Sequence, residues 1–149
     1  MKIHFICSGN TYRSRLAEAY LNSLKHKGLT AVSSGLHAQS QPMEIRWYTE
    51  RLLEEYGLSR FAAQKHRQTT QTNLNSTNLI VFMGKSVYTC CEKNYTIKKP
   101  YVTWNIKDVN CHDTDSKLLK LTEKSFKEIK NKVKELVSDL KTGNVIIKK

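Results

Sequence analysis

Cys7 and Arg13 stand with five residues between them in the segment Cys7-Ser8-Gly9-Asn10-Thr11-Tyr12-Arg13-Ser14. Each has a chemical use at that spacing. A cysteine becomes a strong nucleophile once it is a thiolate. Arginine carries a planar fork of N–H donors that fits two oxygens of a phosphate group, a geometry lysine cannot copy. A tight loop that enters a helix turns its unpaired backbone N–H groups inward, and the helix dipole adds partial positive charge. Residues 7–14 therefore read as a socket for a phosphate dianion with a nucleophile at its floor. The same field favours the thiolate form of Cys7. The chemistry implied is attack of sulfur on the phosphorus of a phosphate ester. Gly9 allows the curvature, and Ser8, Asn10, Thr11, Tyr12 and Ser14 complete the candidate phosphate-binding positions. Ser14 either donates to the Cys7 sulfur or caps the helix that follows. Asn10 either braces the loop through its amide or is an ordinary turn residue.

Spacing alone is a weak signal, and the elements on either side give it meaning. Ile3, Phe5 and Ile6 lead into Ser8-Gly9-Asn10 as a buried strand leads into a turn. From Ser14 onward, Leu16, Ala17, Tyr20, Leu21 and Leu24 mark one helix face, and Gly28 follows where a helix would stop. A second strand fits Leu29–Ser33, broken by Ser34-Gly35, and a helix is expected from near Pro42 to Tyr56-Gly57. Leu79–Met83 is a continuous apolar run suited to a strand covered on both faces. A helix around Lys85–Lys93 and a strand at Tyr101–Trp104 follow. Leu118, Leu121, Ile129, Val133, Leu136 and Leu140 define a long helix from about Ser116 to Lys141, ended by Thr142-Gly143. Strands alternating with helices predict an α/β fold, a four-stranded parallel sheet with helices on both faces. In such a sheet ligands sit at the carboxyl ends of the strands, where residues 8–14 fall.

The chain has 149 residues, enough for one domain with a core, and its 39% apolar and 26% charged composition suits a globular protein. A single domain over residues 1–149 is expected, with a loose tail from Asn144. No run is long enough for a membrane span, and the apolar start is too short for a signal peptide, so a cytoplasmic location with no membrane partner is expected. Cys7, Cys90, Cys91 and Cys111 show no metal-binding spacing with the histidines, which predicts reduced thiols, no structural metal and no cofactor. The net charge of +12 invites a nucleic-acid reading. From Lys117 onward, however, lysines alternate with Glu123, Glu128, Glu135 and Asp139 as on a solvated helix face, and no basic stripe carries stacking aromatics. Nucleic acid is not expected as the main partner. His4 and the pair Cys90-Cys91 read as structural.

At residues 7–14 the sequence resembles the low-molecular-weight protein-tyrosine phosphatase family, whose loop reads Cys-x-Gly-Asn-x-Cys-Arg-Ser after the first strand. The resemblance continues through Ser33-Ser34-Gly35, Gln41-Pro42, His66-Arg67-Gln68 and the strand Leu79–Met83. It implies a flavodoxin-like fold, catalytic roles for Cys7 and Arg13, a supporting role for Ser33, and a general acid at Asp108, with Asp113 and Asp115 as rivals that could instead cap the last helix. Protonating a phenolate whose conjugate acid has a pKa of about 10 lowers the barrier to its departure. The implied substrate is protein phosphotyrosine, handled by a monomer. Val109 stands where the family has Pro, Tyr12 replaces the second loop cysteine, and Asn110 and Cys111 occupy positions that are often aromatic. Three further readings remain open. Thr11 is shared with protein-arginine phosphatases. Trp104 and Cys90 resemble features of thioredoxin-coupled arsenate reductases, although Met83 stands where their relay needs a cysteine. A phosphate-binding module without catalysis is the third.

Overall fold

The strand run Ile3-His4-Phe5-Ile6-Cys7 is buried throughout, as a strand needs to be when both its edges pair and both its faces are covered. In the computed structural model, which describes residues 1–41 and 45–144, this strand β1 (Lys2–Cys7) is followed by α1 (Arg13–Ser23), β2 (Thr30–Gly35) and α2 (Trp47–Glu55). The chain continues with α3 (Gln71–Asn75), β3 (Leu79–Phe82), α4 (Lys85–Asn94), β4 (Tyr101–Thr103) and α5 (Asp115–Thr142). All pairings are parallel and the strand order is β2-β1-β3-β4, the flavodoxin-like arrangement in which the strand order switches from one side of β1 to the other. The loop after β1 therefore lies where the crossovers to either side diverge.

Strand alternation divides the core in two. Ile3, Phe5, Leu79 and Val81 pack with Leu16, Leu52, Phe126, Ile129 and Val133 from α1, α2 and α5. On the other face Ile6, Ile80 and Phe82 meet Leu74 of α3 and Val87 and Cys91 of α4. Burial pushes the Cys91 thiol up to about 12, consistent with a packing role. The long helix follows its apolar stripe and stops at Gly143, whose φ of +73° suits glycine.

Several boundaries differ from the sequence expectation. Register with β1, from Lys2↔Thr30 to Cys7↔Gly35, carries the second strand through Gly35 instead of ending it at Ser33. The second helix begins at Trp47, after an extended Arg46; Pro42, where it was expected to start, lies outside the described residues, as do residues 145–149 of the expected tail. The five-residue α3 was not anticipated. It has no room for an apolar period and is held instead by a reciprocal Thr70–Asn73 capping box. Among the described residues no helix is long and apolar enough to cross a membrane.

His4 lies in the sheet with its Nε2 2.7 Å from Ser34 Oγ. Burial, aided by the positive charges of Arg67 and Lys2, holds its pKa down to about 3, so the folded protein carries a neutral imidazole. The unfolded chain takes up a proton near pH 6.5, whereas the folded protein does not until about pH 3, so the stability linked to His4 is complete above pH 6.5 and declines below it. The expected contribution to the loss between pH 7.5 and 5.0 is about 2 kcal/mol. Urea denaturation at both pH values should show a smaller loss in His4→Gln by about that amount.

Candidate active site

A loop can present N–H groups to its concave side only if the carbonyls of the same peptides point away, because N–H and C=O oppose one another across a trans peptide. Here the carbonyls are tied back individually. Leu36 N–H donates to Cys7 O at 3.1 Å and His37 N–H to Ser8 O at 2.8 Å, while Arg15 Nε donates to Asn10 O at 2.8 Å. The N–H groups of Ser8, Gly9 and Thr11 accordingly face inward, and Asn10 N–H reaches the Cys7 sulfur at 3.2 Å. The first two ties come from the chain just past β2, and they require that strand to run against the loop. A side chain at Gly35 would not fit, since an added Cβ would stand 2.6 Å from both Asn10 N and Ser8 O.

Asn10 is the brace. Its φ of +55° is a conformation Asn tolerates better than most residues, and it is fully buried. Its Nδ2 donates to Ser14 Oγ and to Ser33 Oγ, each at 2.9 Å, and its Oδ1 accepts from Arg67 N–H at 2.7 Å. Ser33 passes the connection to Glu18, which also pairs with Arg67. The structure thus brings together Asn10 and Ser33, both candidate site residues from the sequence, in one hydrogen-bond network. Ser14 does not cap α1: its Oγ lies 2.9 Å from Cys7 Sγ. Asn10 donates to that oxygen, so the Ser14 hydroxyl hydrogen is free to turn to the sulfur when Cys7 is a thiolate. With Asn10 N–H this puts two donors on Cys7, an arrangement suited to sulfur both as an anion and as a leaving group.

Arg13 opens α1 and is almost buried. Its Nη1 donates to Ile106 O at 3.1 Å and its Nη2 to Asp108 Oδ2 at 2.6 Å. Asp108 is half-exposed at the mouth, and Val109 N–H, which a proline would lack, donates to its Oδ1 at 3.0 Å. The segment is hung from the sheet, with Ile106 N–H on Met83 O. The structure thus brings Asp108 to Arg13. Of its rivals, Asp113 pairs with Lys117 and Asp115 lies in the first turn of α5, whose side-chain cap is Thr114. Tyr12 was grouped with the phosphate-binding positions, but its ring turns into the core and packs edge-on against Tyr48. Only its backbone stays with the loop.

A cleft of about 520 Å³ opens beside the loop, bordered by Ser8, Arg13, His37, Lys85, Cys90 and Asp108. Cys90, read from sequence as structural, reaches this cleft, with its sulfur 3.6 Å from His37 Nε2. No group of three or more metal-ligating side chains occurs among the described residues. The roles of Glu18, Arg15 and Tyr48 were not foreseen, because nothing in a helical sequence pattern marks which polar residue turns inward.

A four-stranded parallel sheet in the order β2-β1-β3-β4, with a cysteine and an arginine on the loop after its first strand, defines an α/β protein of the flavodoxin-like class. More narrowly, the chain belongs to the low molecular weight phosphotyrosine protein phosphatase family, whose model matches residues 2–145. No curated protein sequence matches it. Among solved structures it is similar to an arsenate reductase from Archaeoglobus fulgidus DSM 4304, with 30% identity, 91% of this chain and 98% of that one covered, and a TM-score of 0.72. A low molecular weight protein tyrosine phosphatase from T. tengcongensis has 22% identity, covers 93% of this chain and 99% of its own, and has a TM-score of 0.78. An arginine phosphatase from Geobacillus stearothermophilus has 20% identity, coverages of 95% and 94%, and a TM-score of 0.68. The last two comparisons bear on the fold alone.

Asn10→Ala would strip partners from Ser14, Ser33 and Arg67 N–H together. Urea denaturation should register a loss of about 2–3 kcal/mol, the cost of leaving buried polar groups unpaired.

Proposed function

We propose that the protein hydrolyses phosphotyrosine on protein substrates through a cysteinyl-phosphate intermediate, working as a monomer in the cytoplasm. The observation that supports this best is Cys7 Sγ at the loop floor with Ser14 Oγ and Asn10 N–H directed at it. In this reading the phosphate seats on the inward N–H groups, and Arg13 moves from Asp108 to two phosphate oxygens. The thiolate of Cys7 attacks phosphorus, forming the S–P bond as the P–O bond breaks, and Asp108 delivers its proton to the leaving phenolate oxygen. Asp108 then takes a proton from water, whose oxygen bonds to phosphorus as the S–P bond breaks. Ser14 Oγ–H stabilises the departing sulfur. Four free thiols suit a reducing compartment. Trp47 is exposed at the start of α2 and packs on Tyr48, whose hydroxyl is pushed above its ordinary pKa by burial.

Met83, fully buried after β3, argues against a thiol relay of the arsenate-reductase kind, because the first relay sulfur is missing. The deciding experiment is phosphate release from matched phosphotyrosine, phosphoserine and phosphoarginine peptides, with Cys7→Ser as the blank. Preference for phosphotyrosine is expected. Faster release from phosphoarginine would make Thr11 a specificity residue and reject the tyrosine assignment, and no release from any peptide would leave a binding module.

Asp108→Asn should lower kcat on a phosphotyrosine peptide by about 10²-fold or more. The loss should shrink on esters with more acidic leaving groups. An equal loss on all esters would move the acid elsewhere.

A further inference from the structure

Arg15 occupies the first turn of α1, and its side chain is among the largest that are fully buried in the protein. Arginine is seldom found so deep without a carboxylate partner. Its Nε donates to Asn10 O, while Nη1 and Nη2 have no hydrogen-bond partner among the described residues. Around the loop, Arg13 has Asp108 and Arg67 has Glu18 as ion-pair partners. Glu18, three residues along α1 from Arg15, has its two oxygens on Ser33 and Arg67. Burial and the charge of Arg67 lower the pKa of Arg15 to about 10, while Glu18 and Cys7 act against that fall, so the guanidinium remains charged at neutral pH. The loop region therefore holds three guanidinium groups against two carboxylates, and the one without a carboxylate partner, Arg15, is the one that is fully buried.

We propose that Arg15 is a positioning residue for the phosphatase reaction: it holds the Asn10 carbonyl outward, turning Thr11 N–H into the socket, and its buried charge is the counter-ion for the Cys7 thiolate and the phosphoryl group. The two parts are coupled through one side chain. The hydrogen bond fixes the peptide between Asn10 and Thr11, and the charge sits on the same group behind that peptide. A neutral residue able to make the bond would keep the geometry and lose the field. This inference rests on reading Cys7 as the nucleophile in an anion socket, but its test does not need turnover.

The test measures alkylation of Cys7 by iodoacetate and by iodoacetamide, followed at that residue by peptide mass spectrometry. Both reagents require the thiolate, and only iodoacetate is an anion, so the ratio of their rates reports the local field with thiolate content divided out. Arg15→Gln should lower this ratio by about tenfold, the scale of one charge acting through a partly screened interior. Arg15→Lys should stay within about twofold of the unsubstituted protein. Arg15→Met, whose apolar stem suits a buried position, serves as the neutral variant if Arg15→Gln does not fold. A ratio unchanged in the neutral variant, or equally lowered in Arg15→Lys, would overturn the counter-ion role. If the unsubstituted protein showed no preference for iodoacetate, the socket itself would fail and the role of Arg15 with it. Absence of phosphatase activity with the ratios as expected would reject only the catalytic reading.

Discussion

Every N–H group that a loop turns toward one point leaves a carbonyl that must be satisfied somewhere else. In this protein that requirement organises the surroundings of residues 7–14. The carbonyls of Cys7 and Ser8 go to the backbone beyond β2, that of Asn10 goes to Arg15, and the Asn10 side chain reaches Ser14, Ser33 and Arg67. The parallel register of β1 and β2 follows from the same need, since it brings Leu36 and His37 alongside the loop. Gly35 follows as well, because the two backbones approach too closely for a Cβ.

The cations of the chain divide according to hydration. Lysine, strongly hydrated, lies on the outer face of α5 and elsewhere at the surface; Lys130 covers the rings of Tyr56 and Phe126 while keeping its charge near water. Arg13 and Arg15 lie inside, where a delocalised and weakly hydrated guanidinium is less costly to bury and can direct several N–H groups at fixed angles. The high net charge of the chain and the positive field proposed for its loop are therefore separate matters. The first is spread over the surface, and the second would come from Arg13, Arg15 and a helix terminus.

The elements that place Cys7 were legible because each carried a periodic signal of its own: the apolar residues before Cys7, the face running from Leu16 to Leu24, the run from Leu79, and the stripe of α5. Cys7, Arg13 and Asn10 could be singled out because their types and spacing match a definite chemical need. What escaped depends on tertiary contacts. Nothing local indicates that Tyr12 turns from the loop into the core beside Tyr48, or that Glu18, on a helix with other charged residues, faces inward. The short α3 rests on capping and not on an apolar face. Arg15 is the sharpest case, since residue type argues for the surface and only the carbonyl of Asn10 explains the interior.

The socket is assembled from segments far apart in the chain: β1 and its loop, the residues past β2, the stretch around Arg67, and the segment from Ile106 to Asp108. None of these is near the others once the chain unfolds, so an oxyanion held there has no counterpart site in the denatured state. An anion bound there, as proposed, would act as a folding ligand. By mass action it raises the unfolding free energy by about 2.7 kcal/mol at a hundredfold excess over its Kd, and the melting temperature of the whole domain becomes a readout of how full one small loop is.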